Sequence, residues 1–225
     1  MPPRAIVLDL EGTTTPITFV RDVLFPYARE RLPAVLRTRQ SEPQIVALIR
    51  EAAKLSDAAS LDVEDAIRLF LAWSDADRKL PPLKALQGIV WKQGYIDGTL
   101  SSPVYPDVTS ALRTWRERGI DLYVYSSGSV DAQRLLLRHS SEGDLTVYFR
   151  GYFDATIGPK IDADSYRAIQ VATGLDAGEL VFLSDSAAEI TAARSAGWRG
   201  ILVERDGPAP GREPPAIASF SELDL

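Results

Sequence analysis

Short, unbroken apolar runs separated by helical patterns set the character of this chain. Ala5-Ile6-Val7-Leu8, Leu122-Tyr123-Val124-Tyr125, Leu180-Val181-Phe182-Leu183 and Ile201-Leu202-Val203 show no polar alternation. Runs of that kind suit strands covered on both faces, as in a parallel sheet. Helical spacing lies between the later runs. Val108, Leu112 and Trp115 share a face that stops at Gly119, and a second helix begins after Gly128 with Val130, Leu135 and Leu136 inside it. Further helices are predicted over 165–173 and 187–196, the last ending at Gly197. Strand–helix–strand alternation predicts right-handed crossovers and an α/β fold with a parallel-sheet core.

Residues 17–103 interrupt this alternation with helical patterns only. Val20, Leu24 and Tyr27 share a face, after which Pro33 is expected to break or restart the helix. Ser41-Glu42-Pro43-Gln44 has the form of a capping box, followed by Ile45, Leu48, Ile49 and Ala52 at helical spacing. Asp62 is placed to cap a helix bearing Ile67, Phe70 and Leu71, and Pro81-Pro82 opens a last one with Leu83, Leu86, Val90 and Trp91. The expected division is a core of 1–16 plus 104–225, with 17–103 as an all-helical insertion. Thr13-Thr14-Thr15-Pro16 and Leu100-Ser101-Ser102-Pro103 have the composition of hinges at its two ends. Arg205 to Pro215 reads as a loop leading to a docked piece around Ile217 and Phe220.

Composition narrows the chemistry. The 225 residues are 45% hydrophobic and 25% charged, ordinary for a globular chain. A net charge of −6 argues against general affinity for nucleic acid, which needs a basic face. With no cysteine, disulfides, Cys-ligated zinc, iron–sulfur clusters and a catalytic thiol are excluded. The single histidine, His139, sits where a helix runs into a turn, so catalysis must rest on carboxylates, hydroxyls, lysine and a hard metal. The residues before the first strand lack the apolar stretch and small-residue cleavage site expected of a secretory leader, and no run approaches the roughly 20 apolar residues that span a membrane. A cytoplasmic monomer with neither membrane nor nucleic-acid partners is expected.

Candidate chemistry gathers where strands end. Asp9 and Glu11 follow the first strand two residues apart, so an extended chain turns both toward one side. Two such carboxylates repel unless one takes a proton or a cation lies between them, and Mg²⁺ prefers oxygen ligands. Ser126 and Ser127 follow the second run, opening a helix whose N–H groups suit an anion. Lys160 lies in Gly158-Pro159-Lys160, before a further helix. Asp185 ends the next strand, with Glu189 one helical turn on. Each residue alone has an ordinary structural use: Ser127 or Asp185 as an N-cap, Glu189 in a capping pair, Lys160 as solvated surface. Their common position at one sheet edge is where ligands bind in open α/β sheets.

The order Asp9-x-Glu11-Gly12-Thr13, Ser126-Ser127-Gly128, Lys160, then Asp185 with Glu189 resembles the haloacid dehalogenase-like phosphohydrolases. Within them, Ile6-Val7-Leu8-Asp9-Leu10-Glu11-Gly12-Thr13-Thr14 resembles the opening of the enolase-phosphatases (acireductone synthases) of methionine salvage. So do Leu86-Gln87-Gly88-Ile89-Val90-Trp91, the stretch from Tyr125 to Gln133, and Phe153-Asp154. The resemblance implies a Rossmann-like core with a helical cap. It also implies a Mg²⁺-dependent enzyme that enolises a small phosphorylated diketone and then removes its phosphate.

The same resemblance assigns roles. Asp9 becomes the nucleophile and a metal ligand, with Asp185 and the Glu11 backbone carbonyl completing the protein's share of the Mg²⁺ shell. Glu11 acts as general acid and base, Lys160 and Ser126 with Ser127 hold the phosphate, and Glu189 orients Asp185 or a metal-bound water. Trp91 and Lys92 are candidate substrate contacts from the cap. The residues alone also suit a general sugar-phosphate phosphatase or phosphomutase of the same superfamily, or a catalytically silent phosphate-binding protein.

Overall fold

The computed structural model describes residues 3–207 and 216–223. The chain divides into two compact units, Met1–Ile17 with Ser101–Leu225, and Thr18–Leu100. In the first, six parallel strands form one sheet in the order β3-β2-β1-β4-β5-β6. They are β1 (Ala5–Leu8), β2 (Asp121–Tyr125), β3 (Gly151–Phe153), β4 (Leu180–Ser184), β5 (Arg199–Val203) and β6 (Ala216–Ile217). This is the doubly wound order, and the direction of winding reverses between β1 and β4.

Alternation along the strands splits the core. Ile6, Leu8, Leu122, Val124, Val181 and Leu183 pack on one face with Val108, Leu112 and Trp115 of α6 (Val108–Glu117) and with Leu136 and Leu137 of α7 (Val130–Arg138). Ala5, Val7, Tyr123, Tyr125, Leu180 and Phe182 face the other side. There they meet Tyr166 and Ile169 of α8 (Ala163–Thr173) and Ile190 of α9 (Ala187–Ser195). Both sides of β1 are thus buried, which is why its sequence lacks polar positions.

The second unit is helical. A single turn, α1 (Ile17–Phe19), leads through a π-helical turn (Val20–Leu24) into α2 (Phe25–Thr38). α3 (Pro43–Leu55), α4 (Val63–Asp75) and α5 (Pro81–Ile96) follow. Leu32, Leu36, Ile45, Leu48, Ile67, Phe70, Leu83 and Leu86 form its own core.

Four expectations need correction. Pro33 lies inside α2 and does not break it. Leu32 and Leu36 are both buried there, and their packing outweighs the hydrogen bond that proline forfeits. Ser41 forms no capping box: Glu42 is the N-cap residue, Pro43 takes the first helical position, and the Glu42 carboxylate pairs with Arg39 at 2.7 Å. Residues 101–103 belong with the α/β unit, where the Ser102 N–H donates to the His139 carbonyl at 2.9 Å and Thr15 Oγ1 donates to the Pro103 carbonyl. Finally, β3 and β6 were not apparent from the apolar pattern, both being short and half-buried. Of the predicted loop Arg205 to Pro215, residues 208–215 lie outside the described part.

Candidate active site

The site is built on the carboxyl ends of β1 and β4, adjacent at the sheet's switch point, with β2 on the other side of β1. Asp9 leaves β1 with its N–H bonded to the Leu183 carbonyl at 3.0 Å. The chain then turns tightly. The Leu10 carbonyl accepts from the amides of Thr13, Thr14 and Thr15 at 3.3, 2.8 and 2.8 Å, and Gly12 adopts a φ of +78°. The turn folds Thr14 Oγ1 back onto the Asp9 carbonyl at 2.6 Å.

Lys160 is the centre of the charge arrangement. Its Nζ lies 2.6 Å from Asp9 Oδ1 and 2.6 Å from Glu189 Oε2. The three side chains are largely buried, with Lys160 10%, Asp9 7% and Glu189 16% exposed. The backbone that presents Lys160 is held carbonyl by carbonyl. Tyr125 Oη donates to the Gly158 carbonyl at 2.9 Å, Ser165 Oγ to Pro159 at 2.7 Å, and Tyr166 Oη to Lys160 at 2.7 Å. Three neighbouring carbonyls so fixed leave the lysine stem little freedom. These hydroxyls are functional supports that the sequence did not reveal.

Asp185 joins the same cluster from β4. A Cβ placed on Gly12 would fall on its carboxylate, so that carboxylate rests against the bare Gly12 backbone. The Asp185 N–H donates to Thr13 Oγ1 at 2.9 Å. Neither Ser127 nor Asp185 is used as a helix cap: Ser129 caps α7, accepting from Ala132 at 3.3 Å, and Ser186 caps α9, accepting from Glu189 at 3.4 Å. Ser126 is buried and Ser127 exposed in the turn after β2. Gln133 fastens that turn, its Nε2 donating to Gly128 at 2.8 Å and to Phe153 at 2.9 Å. Asp154 accepts from the Val130 N–H at 3.3 Å.

Glu189 Oε2 accepts from Ser184 Oγ at 2.7 Å and pairs with Lys160, whose ammonium it helps to hold. Trp91 spends its indole N–H on the Leu24 carbonyl at 2.8 Å, within the helical unit. His139 ends α7, as its sequence position suggested.

Two carboxylates, Asp9 and Glu189, therefore share one ammonium, with Asp185 near enough to feel it. Burial, with Glu189 and Asp185 nearby, pushes Asp9 up to about 7 despite the pull of Lys160. Asp185 is raised too, by burial and by Glu189. Lys160 is held above its ordinary value because Asp9 and Glu189 outweigh the opposing effect of burial. Such an excess of negative charge suits a divalent cation. Among the described residues no three acidic or histidine side chains are arranged as a complete metal site. Mg²⁺ does not need one, since it takes one or two carboxylates and draws the rest of its shell from carbonyls, water and phosphate. Asp9 and Asp185 fit that requirement, and the bare backbone at Gly12 lets the Asp185 carboxylate into the site.

A profile of the haloacid dehalogenase-like hydrolases matches residues 3–197. A Pseudomonas aeruginosa protein named enolase-phosphatase E1 is 50% identical over 220 residues, covering 98% of this chain and 97% of its own. The protein of that name from Parvibaculum lavamentivorans is 46% identical over 222 residues, covering 98% and 94%. The chain belongs to the enolase-phosphatases, within the haloacid dehalogenase-like hydrolases. Among solved structures, the UTR4 protein of Saccharomyces cerevisiae aligns with a TM-score of 0.82 at 32% identity, covering 98% of this chain and all of that one. A dehalogenase aligns with a TM-score of 0.58 at 19% identity, a likeness of fold alone.

The tight turn gives this enolase-phosphatase a first testable weakness. Gly12→Ala forces a Cβ into the Asp185 carboxylate at a φ that side chains rarely adopt. Turnover is expected to fall at least about 100-fold, the scale of small misplacements at a reacting centre, with the fold retained by circular dichroism.

Proposed function

We infer that this chain is an enolase-phosphatase acting on 2,3-diketo-5-methylthiopentyl-1-phosphate, giving 1,2-dihydroxy-3-keto-5-methylthiopentene and phosphate. The observation that carries the site assignment is Lys160 held between Asp9 and Glu189 beside Asp185. Asp9 is the nucleophile, forming a bond to phosphorus as the bond to the leaving oxygen breaks. Glu11 protonates that oxygen and then takes a proton from the water that hydrolyses the aspartyl-phosphate. Lys160, steadied by Glu189 and by the three hydroxyls behind its loop, neutralises the phosphoryl oxygens, and Ser126 and Ser127 donate hydrogen bonds to them.

Before that step, Glu11 takes the proton from the carbon next to the substrate carbonyl as the C=C bond forms, and the proton is returned to the carbonyl oxygen to give the enol. Asp9, Asp185 and the Glu11 backbone carbonyl would hold Mg²⁺, which would supply charge neutralisation for the phosphoryl group and polarisation of the carbonyl.

Product analysis with the synthetic diketo-phosphate, set against a panel of sugar phosphates, tests this directly. Enol and phosphate from the diketo-phosphate, with little turnover of the panel, is the expected result. Glu11→Asp shortens the base by one methylene. It is expected to keep phosphatase turnover and lose enol formation by about 100-fold or more. Loss of neither activity would remove Glu11 from the enolisation.

Charge in the site also predicts a pH effect. A carboxyl raised to about 7 holds its proton in the folded protein where the unfolded chain has released it. Metal-free protein should therefore lose stability as pH rises from about 4 through about 7. Mg²⁺ binding at pH 6 should release protons, seen as a dependence of the calorimetric heat on buffer ionisation, and the release should vanish by about pH 8.5. Buffer-independent heats at pH 6 would contradict the raised Asp9.

A further inference from the structure

We propose that Arg205 is a positioning residue for Asp185, acting through Thr13. The inference rests on Asp185 being a Mg²⁺ ligand. Arg205 lies two residues beyond β5, in a segment that sequence alone makes an ordinary loop. Its side chain is nevertheless almost wholly buried, 7% exposed, against an Asp107 side chain 16% exposed.

Each of the three nitrogens of the fork has a partner. Nη1 donates to both Asp107 oxygens at 2.9 and 2.8 Å and to the Ala218 carbonyl at 3.2 Å. Nε donates to the Thr13 carbonyl at 2.9 Å, and Nη2 donates to that same carbonyl. The rings of Tyr105 and Phe220 lie 4.3 and 4.4 Å from the guanidinium carbon. Asp107 is fixed in turn, accepting from Ser219 Oγ at 3.0 Å and from the Phe220 N–H.

Two N–H groups on one carbonyl is a heavy commitment for a buried cation. Stability does not require it, because apolar packing of the same volume usually serves as well as a buried ion pair. Thr13 is where a clamp is needed. Its own N–H makes the longest of the three bonds to the Leu10 carbonyl, 3.3 Å against 2.8 and 2.8 Å. Yet Thr13 Oγ1 must hold the Asp185 N–H at 2.9 Å while the Asp185 carboxylate rests on Gly12. Pinning the Thr13 carbonyl from behind sets the peptide plane that aims this hydroxyl. Arginine's planar fork can do this, whereas lysine offers a single nitrogen on a flexible stem.

The test is Mg²⁺ affinity measured by calorimetry on full-length protein, with folding checked by circular dichroism. Arg205→Lys keeps the charge opposite Asp107 but not the double contact, and is expected to weaken Mg²⁺ about 10-fold, typical for groups that orient ligands. Thr13→Val should weaken it at least as much, and Thr13→Ser should stay within about 2-fold of wild type. Because the two act in series, Arg205→Lys with Thr13→Val should be no weaker than Thr13→Val alone. A purely structural arginine would lower the melting temperature and leave Mg²⁺ affinity unchanged in folded Arg205→Lys, which would overturn the proposal. Additive losses in the double variant would overturn it as well. Wild-type protein that binds no Mg²⁺ would instead remove the metal assignment on which the proposal stands.

Discussion

Asp9→Asn is expected to abolish phosphate release, by about 10⁴-fold or more, while leaving the fold intact. Removing a nucleophile costs on that scale because no neighbouring group can form the covalent intermediate. Asparagine has nearly the shape of aspartate and keeps an oxygen for Lys160, so packing around β1 should survive. Burial holds the Asp9 carboxyl at about 7, so folding already tolerates its neutral form. The amide should accordingly leave metal-free stability at pH 7 unchanged or raised, and should reduce the proton release that accompanies Mg²⁺ binding at pH 6. Residual turnover above about 1% of wild type would exclude Asp9 as nucleophile.

Lys160→Met should be the second most damaging change, in a different way. Loss of a charged donor to the phosphoryl oxygens is expected to cost about 10²–10³ in turnover. Here stability suffers too. Asp9 and Glu189 would face each other without the ammonium that now lies 2.6 Å from each. Breaking a buried pair from one side typically costs about 3–5 kcal/mol. The loss should be largest above pH 7, where Asp9 is ionised, and smaller near pH 5, where it can take a proton. Mg²⁺ should restore melting temperature more in this variant than in wild type, since a cation then supplies the missing positive charge. Equal melting temperatures for variant and wild type across pH 5–8 would contradict the charge arrangement.

Much of this enzyme is legible in its sequence. β1 shows itself because Ala5 to Leu8 is buried on both sides and so contains no polar residue. Asp9, Lys160 and Asp185 stand out because each breaks from an apolar strand or a glycine–proline turn into a charged residue. The short strands β3 and β6 escaped notice because half-buried segments of three and two residues carry no periodicity. Pro33 misled because helix propensity is weaker than the packing of Leu32 and Leu36 around it.

The sequence by itself determined the fold class, the helical insertion, the family and the residue types that meet at the sheet edge, because apolar periodicity and local motifs act over a few residues. Only the tertiary structure decided who partners whom. Glu189 pairs with Lys160; Tyr125, Ser165 and Tyr166 each hold one carbonyl of the lysine loop, and Arg205 reaches Thr13 across most of the chain. Those pairings arise from parallel strands that bring distant loops to a common edge, and no local pattern of side chains encodes which of them will touch.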